Sequence, residues 1–285
     1  MSFKAAAIQM CSGTDPAKNA ATMAQLVREA AAAGAVYVQT PEMTGLLQRD
    51  RAAAKAVITD EGADLIVQSA RALAQELGIY LHIGSTPILL DEGRMANRGF
   101  LFAPDGAILA RYDKIHMFDV DLDNGESWRE SAAYRPGSEA HVLSLPFADL
   151  GFAICYDVRF PQLFRAQAMA GAEVMSVPAA FTRQTGEAHW EILLRARAIE
   201  NGIFVIAAAQ GGLHEDGRET FGHSMIVDPW GKILAEADGS AACVISAEID
   251  RQAAASARQK IPNLKNGRDF TVEKLVMDPL GGVVA

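Results

Sequence analysis

Residues 150–180 read LGFAICYDVRFPQLFRAQAMAGAEVMSVPAA, and their reading decides the fold. An apolar run of strand length, LGFAI, breaks at Cys155 into the polar turn CYDVR; a helix then opens near Pro161 and closes at Gly171. Proline suits a first helical position because its missing N–H is one that no helix can pair internally, and glycine marks a helix end because it takes the left-handed conformation freely. EVMSVPAA returns as a second apolar strand. Strand, helix, strand is the repeating unit of a layered α/β protein.

Outward from this unit the pattern recurs. KAAAIQM is a strand, Asp15 and Pro16 start a helix with Ala20, Met23, Val27 and Ala30 on one face, and Gly34 stops it before the strand AVYVQTPE. A helix from about Ala63 carries Leu65, Ser69, Leu73 and Leu77 at intervals of four, ends at Gly78 and leads into the strand IYLHIGST. The segments NRGFLFAP and AILARYDK flank Asp105 and Gly106, a hairpin signal, so part of the sheet is antiparallel and the whole is mixed. Towards the C-terminus HWEILLRARAIEN is helical, with Glu191 and Arg195 spaced as an ion pair, and IFVIAAAQ is a buried strand. GHSMIVDP, KILAEA and CVISAEID complete the strands. Two sheets or one wide sheet would hold this number, and periodicity does not choose between them. Without solenoid repeats or a low-complexity linker, residues 1–285 read as one domain, with a catalytic core over about 1–250 and a tail over about 260–285. Pro262, Asn263, Gly267 and Pro279 make that tail irregular, and it is free to lie on a neighbouring chain.

Composition narrows the function classes. The chain is 50% hydrophobic and 21% charged, with a net charge of -9 and no basic run, which argues against a nucleic-acid partner. No apolar stretch approaches the roughly 18 residues of a membrane span, and MSFKAAAIQMCSGTDP is too short and wrongly flanked for an export signal. Cys11, Cys155 and Cys243 are widely spaced, without metal-binding or disulfide spacing, as expected for reduced thiols of a cytoplasmic protein.

Of these cysteines only Cys155 sits at a strand-to-helix turn, a place that exposes a side chain to incoming substrate and whose helical amides can lower a thiol pKa. A buried structural cysteine is the alternative. A nucleophilic thiol needs a base, and His116, His189 and His223 compete for that role, but no histidine-centred cysteine-protease motif is present. Glu42, in YVQTPEMTG, follows an apolar strand and a proline, so it opens onto the rim where another strand end would place Cys155. Lys114 closes the strand AILARYDK, where an ammonium can donate to a carbonyl oxygen that becomes an oxyanion. Taken singly, a turn carboxylate and a solvated lysine are ordinary surface residues. The three together are not.

TPE at 40–42, YDKIHMFD from Tyr112 and CYDVRFP from Cys155, in that order and with 72 and 41 residues between the Glu, Lys and Cys, resemble the carbon-nitrogen hydrolase (nitrilase) superfamily. The resemblance continues through GEAHWEILLRARAIEN and GHSMIVDPWG to about Asp250, and these segments are most similar to the Nit-type ω-amidases, above all the deaminated glutathione amidases. It implies a four-layer α-β-β-α sandwich with mixed sheets, paired in a homodimer or higher assembly, that needs neither metal nor organic cofactor. It also implies a catalytic triad of Glu42, Lys114 and Cys155, and a second glutamate in the loop between the lysine and cysteine motifs, which Glu130 matches better than Glu126.

The reaction implied is hydrolysis of a non-peptide amide C–N bond of a small carboxylic or keto acid, through a Cys155 thioester, with release of ammonia or an amine. A nitrilase or N-carbamoyl amino acid amidohydrolase would use the same triad. On the substrate side, the Tyr156 amide would join Lys114 at the oxyanion. Arg159, Arg183 and Arg195 are candidates to grip a substrate carboxylate, because a guanidinium does so in bidentate fashion, and an ion pair with Asp157 is the structural alternative for Arg159. Phe181, His189, Trp190 and Met117 are further candidates for the pocket.

Overall fold

A computed structural model describes residues 2–90, 92–122, 125, 127–277 and 283–284. In chain order the elements are β1 (Ser2–Gln9), α1 (Pro16–Ala32), β2 (Tyr37–Gln39), α2 (Arg51–Val57), α3 (Leu65–Leu77), β3 (Tyr80–Leu89), β4 (Met95–Phe102), β5 (Ile108–Asp113), β6 (Asp119–Asp121), β7 (Ser127–Arg129) and β8 (Val142–Ser144). Then come β9 (Asp149–Phe152), α4 (Pro161–Met169), β10 (Val174–Ser176), α5 (Arg183–Asn201), β11 (Phe204–Ala207), β12 (Gly211–Leu213), β13 (Glu219–Phe221), β14 (Met225–Val227), β15 (Ile233–Glu236), β16 (Cys243–Asp250) and α6 (Arg251–Lys260). The strands answer the question that periodicity left open: there are two six-stranded sheets, ordered β16-β1-β2-β3-β4-β5 and β15-β14-β11-β10-β9-β8.

The two sheets are built alike. Each has three parallel strands at its centre, β1-β2-β3 and β11-β10-β9, flanked by antiparallel neighbours. Alternation along β1 shows how the layers stack. Ala5 and Ala7 face the second sheet, whereas Ala6 and Ile8 face α1 and α3. A strand covered on both faces reads as an almost unbroken apolar run, which is why KAAAIQM has no polar partner face. α4 and α5 cover the second sheet through Leu163, Phe164, Trp190 and Leu194. The result is the four-layer α-β-β-α sandwich.

Helix boundaries follow their caps. Asp15 accepts from the amides of Ala17 and Lys18 at the start of α1, whose buried face includes Ala20, Met23, Val27 and Ala30 as the spacing predicts. Gly78 closes α3 at φ 64°. The buried stripe of α3 is Ile66, Val67, Ala70, Leu73 and Ala74, while Leu65 is exposed, so the face is turned by about one residue from the leucine spacing. α5 starts at Arg183, earlier than HWEILL suggests, because Thr182 caps it through the Thr185 amide. The expected Glu191–Arg195 pair is present at 2.7 Å. α6 lies beyond the expected core boundary yet buries Ala254 in the main core, so the packed unit extends past Asp250.

Candidate active site

The turn at Cys155 is tight. Cys155 follows β9 at φ 50°, a left-handed conformation that costs a non-glycine residue energy and persists where surrounding contacts hold it. Its amide donates to the Pro178 carbonyl at 2.8 Å, which ties the turn to the end of β10. Asp157, fully buried, accepts from the Ile154 amide at 2.9 Å, the Tyr112 hydroxyl at 2.8 Å and the His116 amide at 3.0 Å, and pairs with His116 Nδ1 at 2.6 Å. One carboxylate therefore fastens the cysteine turn to the segment that carries Lys114. This occupies Asp157, so it is not the ion-pair partner of Arg159 considered from sequence.

Glu42 follows β2 in TPE, where the chain crosses beneath Gly84. A Cβ at residue 84 would stand 2.2 Å from the Thr40 carbonyl oxygen and 2.3 Å from Pro178, so only glycine lets the glutamate strand end and the segment after β10 come this close. Lys114 follows β5, held by its amide to the Asn97 carbonyl at 3.0 Å and by its own carbonyl to the Gly137 amide at 2.8 Å. Loops from both sheets thus converge at one edge of the sandwich.

There, Lys114 Nζ lies 2.8 Å from Glu42 Oε1 and 2.9 Å from Glu130 Oε2, and the side chain is only 2% exposed. Asn97, at 0% exposure, donates its Nδ2 to both carboxylates, 2.9 Å from Glu42 Oε1 and 3.1 Å from Glu130 Oε1. The other oxygens are met by main-chain donors: the Ala180 amide at 2.9 Å from Glu42 Oε2, and the Phe118 amide at 2.7 Å from Glu130 Oε2. Two carboxylates, Glu42 buried and Glu130 nearly so, can share one ammonium because further N–H donors meet their oxygens. Asn97 was missed in the sequence; its signal is a polar residue at a position of β4 whose side chain faces the interior, between Ala96 and Arg98.

These charges set the protonation states. Burial disfavours the ammonium of Lys114, but the Glu130 and Glu42 carboxylates outweigh it and hold its pKa well above the ordinary 10.5. For Cys155, burial first and the Glu42 carboxylate second push the thiol well above its ordinary 9.0, against the pull of Lys114 and the Ala180 amide. The expected lowering by helix amides is thus reversed: a short 3-10 turn stands between the thiol and α4, and the nearest strong charge is negative. The resting pair is a neutral thiol beside a carboxylate.

Glu42, Lys114, Glu130 and Cys155 all line one cavity of about 340 Å³, a size suited to a small organic substrate. Tyr156 and Phe181 also line it. The other six substrate-side candidates, Arg159, Arg183, Arg195, His189, Trp190 and Met117, do not. Arg159 lies behind Phe181, with its guanidinium 5.4 Å from the ring centroid and 3.3 Å from His189 Nδ1. Arg183 is exposed and paired with Glu187 and Glu219, because it opens α5 on the outer surface. His189 is exposed, and Trp190 is buried against Phe181 with its indole N–H on the His223 carbonyl. His116 and His223, the rival bases, do not line the cavity either. Glu126 lies outside the described residues.

The fold and this set of groups define a hydrolase acting on carbon–nitrogen bonds. The chain belongs to the carbon-nitrogen hydrolase family, whose model matches residues 4–259. It is 41% identical over 266 residues to a deaminated glutathione amidase of Yersinia enterocolitica, covering 92% of either chain. Among solved structures, the C. elegans NitFhit protein superposes with a TM-score of 0.88 at 32% identity, over 98% of this chain and 69% of that one. A variant of the amidase from Nesterenkonia sp. AN1, in which acrylamide has added to the active-site cysteine, matches with a TM-score of 0.77 at 27% identity, over 91% of this chain and 98% of that one.

Proposed function

We propose that the chain hydrolyses the amide of a small carboxylic or keto acid, an ω-amide or a deaminated-glutathione-like amide, through a thioester on Cys155. The observation that carries this reading is the convergence of Cys155, Glu42, Lys114 and Glu130 on a single cavity. Glu42 takes the thiol proton as Sγ attacks the carbonyl carbon, since the neutral thiol has a carboxylate beside it. Lys114, whose ammonium bonds Glu42 Oε1 and both oxygens of Glu130, turns its positive charge and a shared N–H to the oxyanion, with the Tyr156 amide as second donor. Glu42 returns the proton to the leaving nitrogen and the C–N bond breaks. A water then attacks the thioester, with Glu42 as base and Glu130 as its positioning group, and releases the acid and the thiol.

Mass spectrometry of the enzyme mixed with small ω-amides is expected to detect an acyl adduct on Cys155 that a Cys155→Ala variant lacks. Ammonia release from nitriles or carbamoyl amino acids in preference to amides would overturn the substrate class.

The working form is further proposed to be a cytoplasmic homodimer or higher homo-oligomer. Support comes from three free thiols and from Met169, Ile192, Ile199 and Trp230, exposed on the outer helical layer and the adjoining β14-β15 turn. Among the described residues no helix is long and apolar enough to cross a membrane. Sedimentation of the purified chain is expected to give at least a dimer, and a monomer at micromolar concentration would refute it.

A further inference from the structure

Three segments from different parts of the chain meet at the cavity wall. Arg49 comes from the segment before α2, Trp128 from β7, and Arg218 from the turn between β12 and β13, and all three line the cavity. Both guanidiniums lie over the same indole, Arg218 Cζ 4.5 Å and Arg49 Cζ 5.1 Å from the ring centroid. Two cations on one aromatic ring repel each other, and a cation–π contact offsets only part of that.

The two arginines differ in their surroundings: Arg49 is exposed, whereas Arg218 is largely buried and has one long ion pair, to Asp216. Arg218 has a side chain only 17% exposed, and its nearest carboxylate oxygen is Asp216 Oδ2 at 3.5 Å. Its buried Nε has no hydrogen-bond partner among the described residues. Burial, reinforced by the positive charge of Arg49, pulls its pKa down against Asp216, Tyr134 and Glu42. Arg49 has no ion pair among the described residues. The other arginines of the wall are engaged: Arg129 pairs with Asp121, and Arg51 donates to the Arg129 carbonyl. Buried polar groups without partners in a ligand-sized cavity mark where a ligand supplies them.

We propose that Arg49 and Arg218, both packed on Trp128, form a clamp for a carboxylate carried by the substrate, and so select anionic over neutral amides. This rests on the amidase reading above and deepens it. The clamp takes the role that the sequence suggested for Arg159, which the structure turns towards Phe181 and His189. A guanidinium pair can bind the two carboxylate oxygens with four N–H groups, and contact with the indole restrains both side chains before substrate arrives, so less order is lost on binding.

The test compares two amides of equal length, glutaramate and pentanamide, with the wild-type enzyme and with Arg49→Met and Arg218→Met. Wild type is expected to favour glutaramate, and each variant to lower the glutaramate-to-pentanamide ratio of kcat/KM roughly 10–100-fold, chiefly through KM, the size of one lost charge-assisted bond. Arg218→Lys should fall between. Should Arg218→Met fold poorly, Arg49→Met, an exposed position, still decides the matter. No preference for glutaramate in wild type, or an unchanged ratio in the variants, overturns the clamp. Turnover of neither amide would instead count against the amidase reading. Calorimetric titration of glutarate, a dicarboxylate with no amide, then judges the clamp alone: wild-type binding that Arg49→Met loses upholds it, and absence of binding overturns it.

Discussion

Lys114→Ala is expected to remove measurable turnover and to destabilise the fold at the same time. The catalytic loss has one cause: an oxyanion donor typically contributes about 3–4 kcal/mol, or about 10²–10³-fold in kcat. The structural loss has another. Glu42 and Glu130 are both within 2.9 Å of Nζ, and without it two buried carboxylates face each other across Asn97 with no cation between them. Removing one partner of such a buried pair costs about 3–5 kcal/mol. Arginine is not a conservative replacement, because a planar guanidinium cannot occupy the site of a compact ammonium that bonds two carboxylates at once.

The raised pKa of Lys114 gives the effect a pH signature. Its stabilisation is fully present below pH 10.5 and is lost as pH rises through the higher folded value, so wild type should weaken at strongly alkaline pH by a component that Lys114→Ala lacks. Urea denaturation across pH, beside steady-state rates on a small amide, reads both effects. A variant with wild-type kcat, or with unchanged midpoint, contradicts the assignment.

How much of this was legible before the structure depends on which interactions write themselves into local sequence. Helix starts at Asp15 and stops at Gly78 are visible because capping is a contact between residues two to four apart. The hairpin through Asp105 and Gly106 is visible for the same reason. The division into two sheets is not, because the pairing of β1 with β16 joins residues more than two hundred apart and leaves no local trace. In α3 the leucines misled: Leu73 is buried, but the rest of the core stripe is Ile66, Val67 and the small Ala70 and Ala74 that let the helix approach the sheet, whereas Leu65 stays outside.

The site divides along the same line. Cys155 could be singled out by the turn that follows it, and Glu42 and Lys114 by their places at strand ends, but their meeting became an expectation only through a family resemblance. Substrate-side groups fared worse. Arg159 and Trp190 lie in segments beside the reacting residues, yet their side chains point behind Phe181. Arg49 and Arg218 are separated along the chain from one another and from every motif, in loops whose sequences, LLQRD and HEDGRE, look like ordinary solvated turns. Only three-dimensional convergence on Trp128 distinguishes them.

Glu42→Gln separates proton transfer from charge pairing more cleanly than any deletion. Glutamine has the same shape, its Oε1 can still accept from Lys114 and Asn97, and the one contact it spoils is that with the Ala180 amide, where an NH₂ meets an N–H. Stability should fall by only about 1–3 kcal/mol, the price of one unsatisfied buried donor. Turnover should fall far more, by about 10²–10⁴-fold, because the thiol is protonated at neutral pH and the carboxylate beside it has been replaced by a neutral amide. A second readout fixes the mechanism. In wild type the Glu42 carboxylate helps hold the thiol above 9.0, so alkylation of Cys155 by iodoacetamide should accelerate only as pH rises beyond that value. Without the carboxylate, Lys114 is opposed by burial alone, and the alkylation profile should move to lower pH. The stability that wild type has below pH 9.0 and loses as the thiol is forced to ionise should shrink in the variant accordingly. An amidase that keeps its rate with glutamine at position 42, or whose alkylation profile moves to higher pH, would require another base for Cys155.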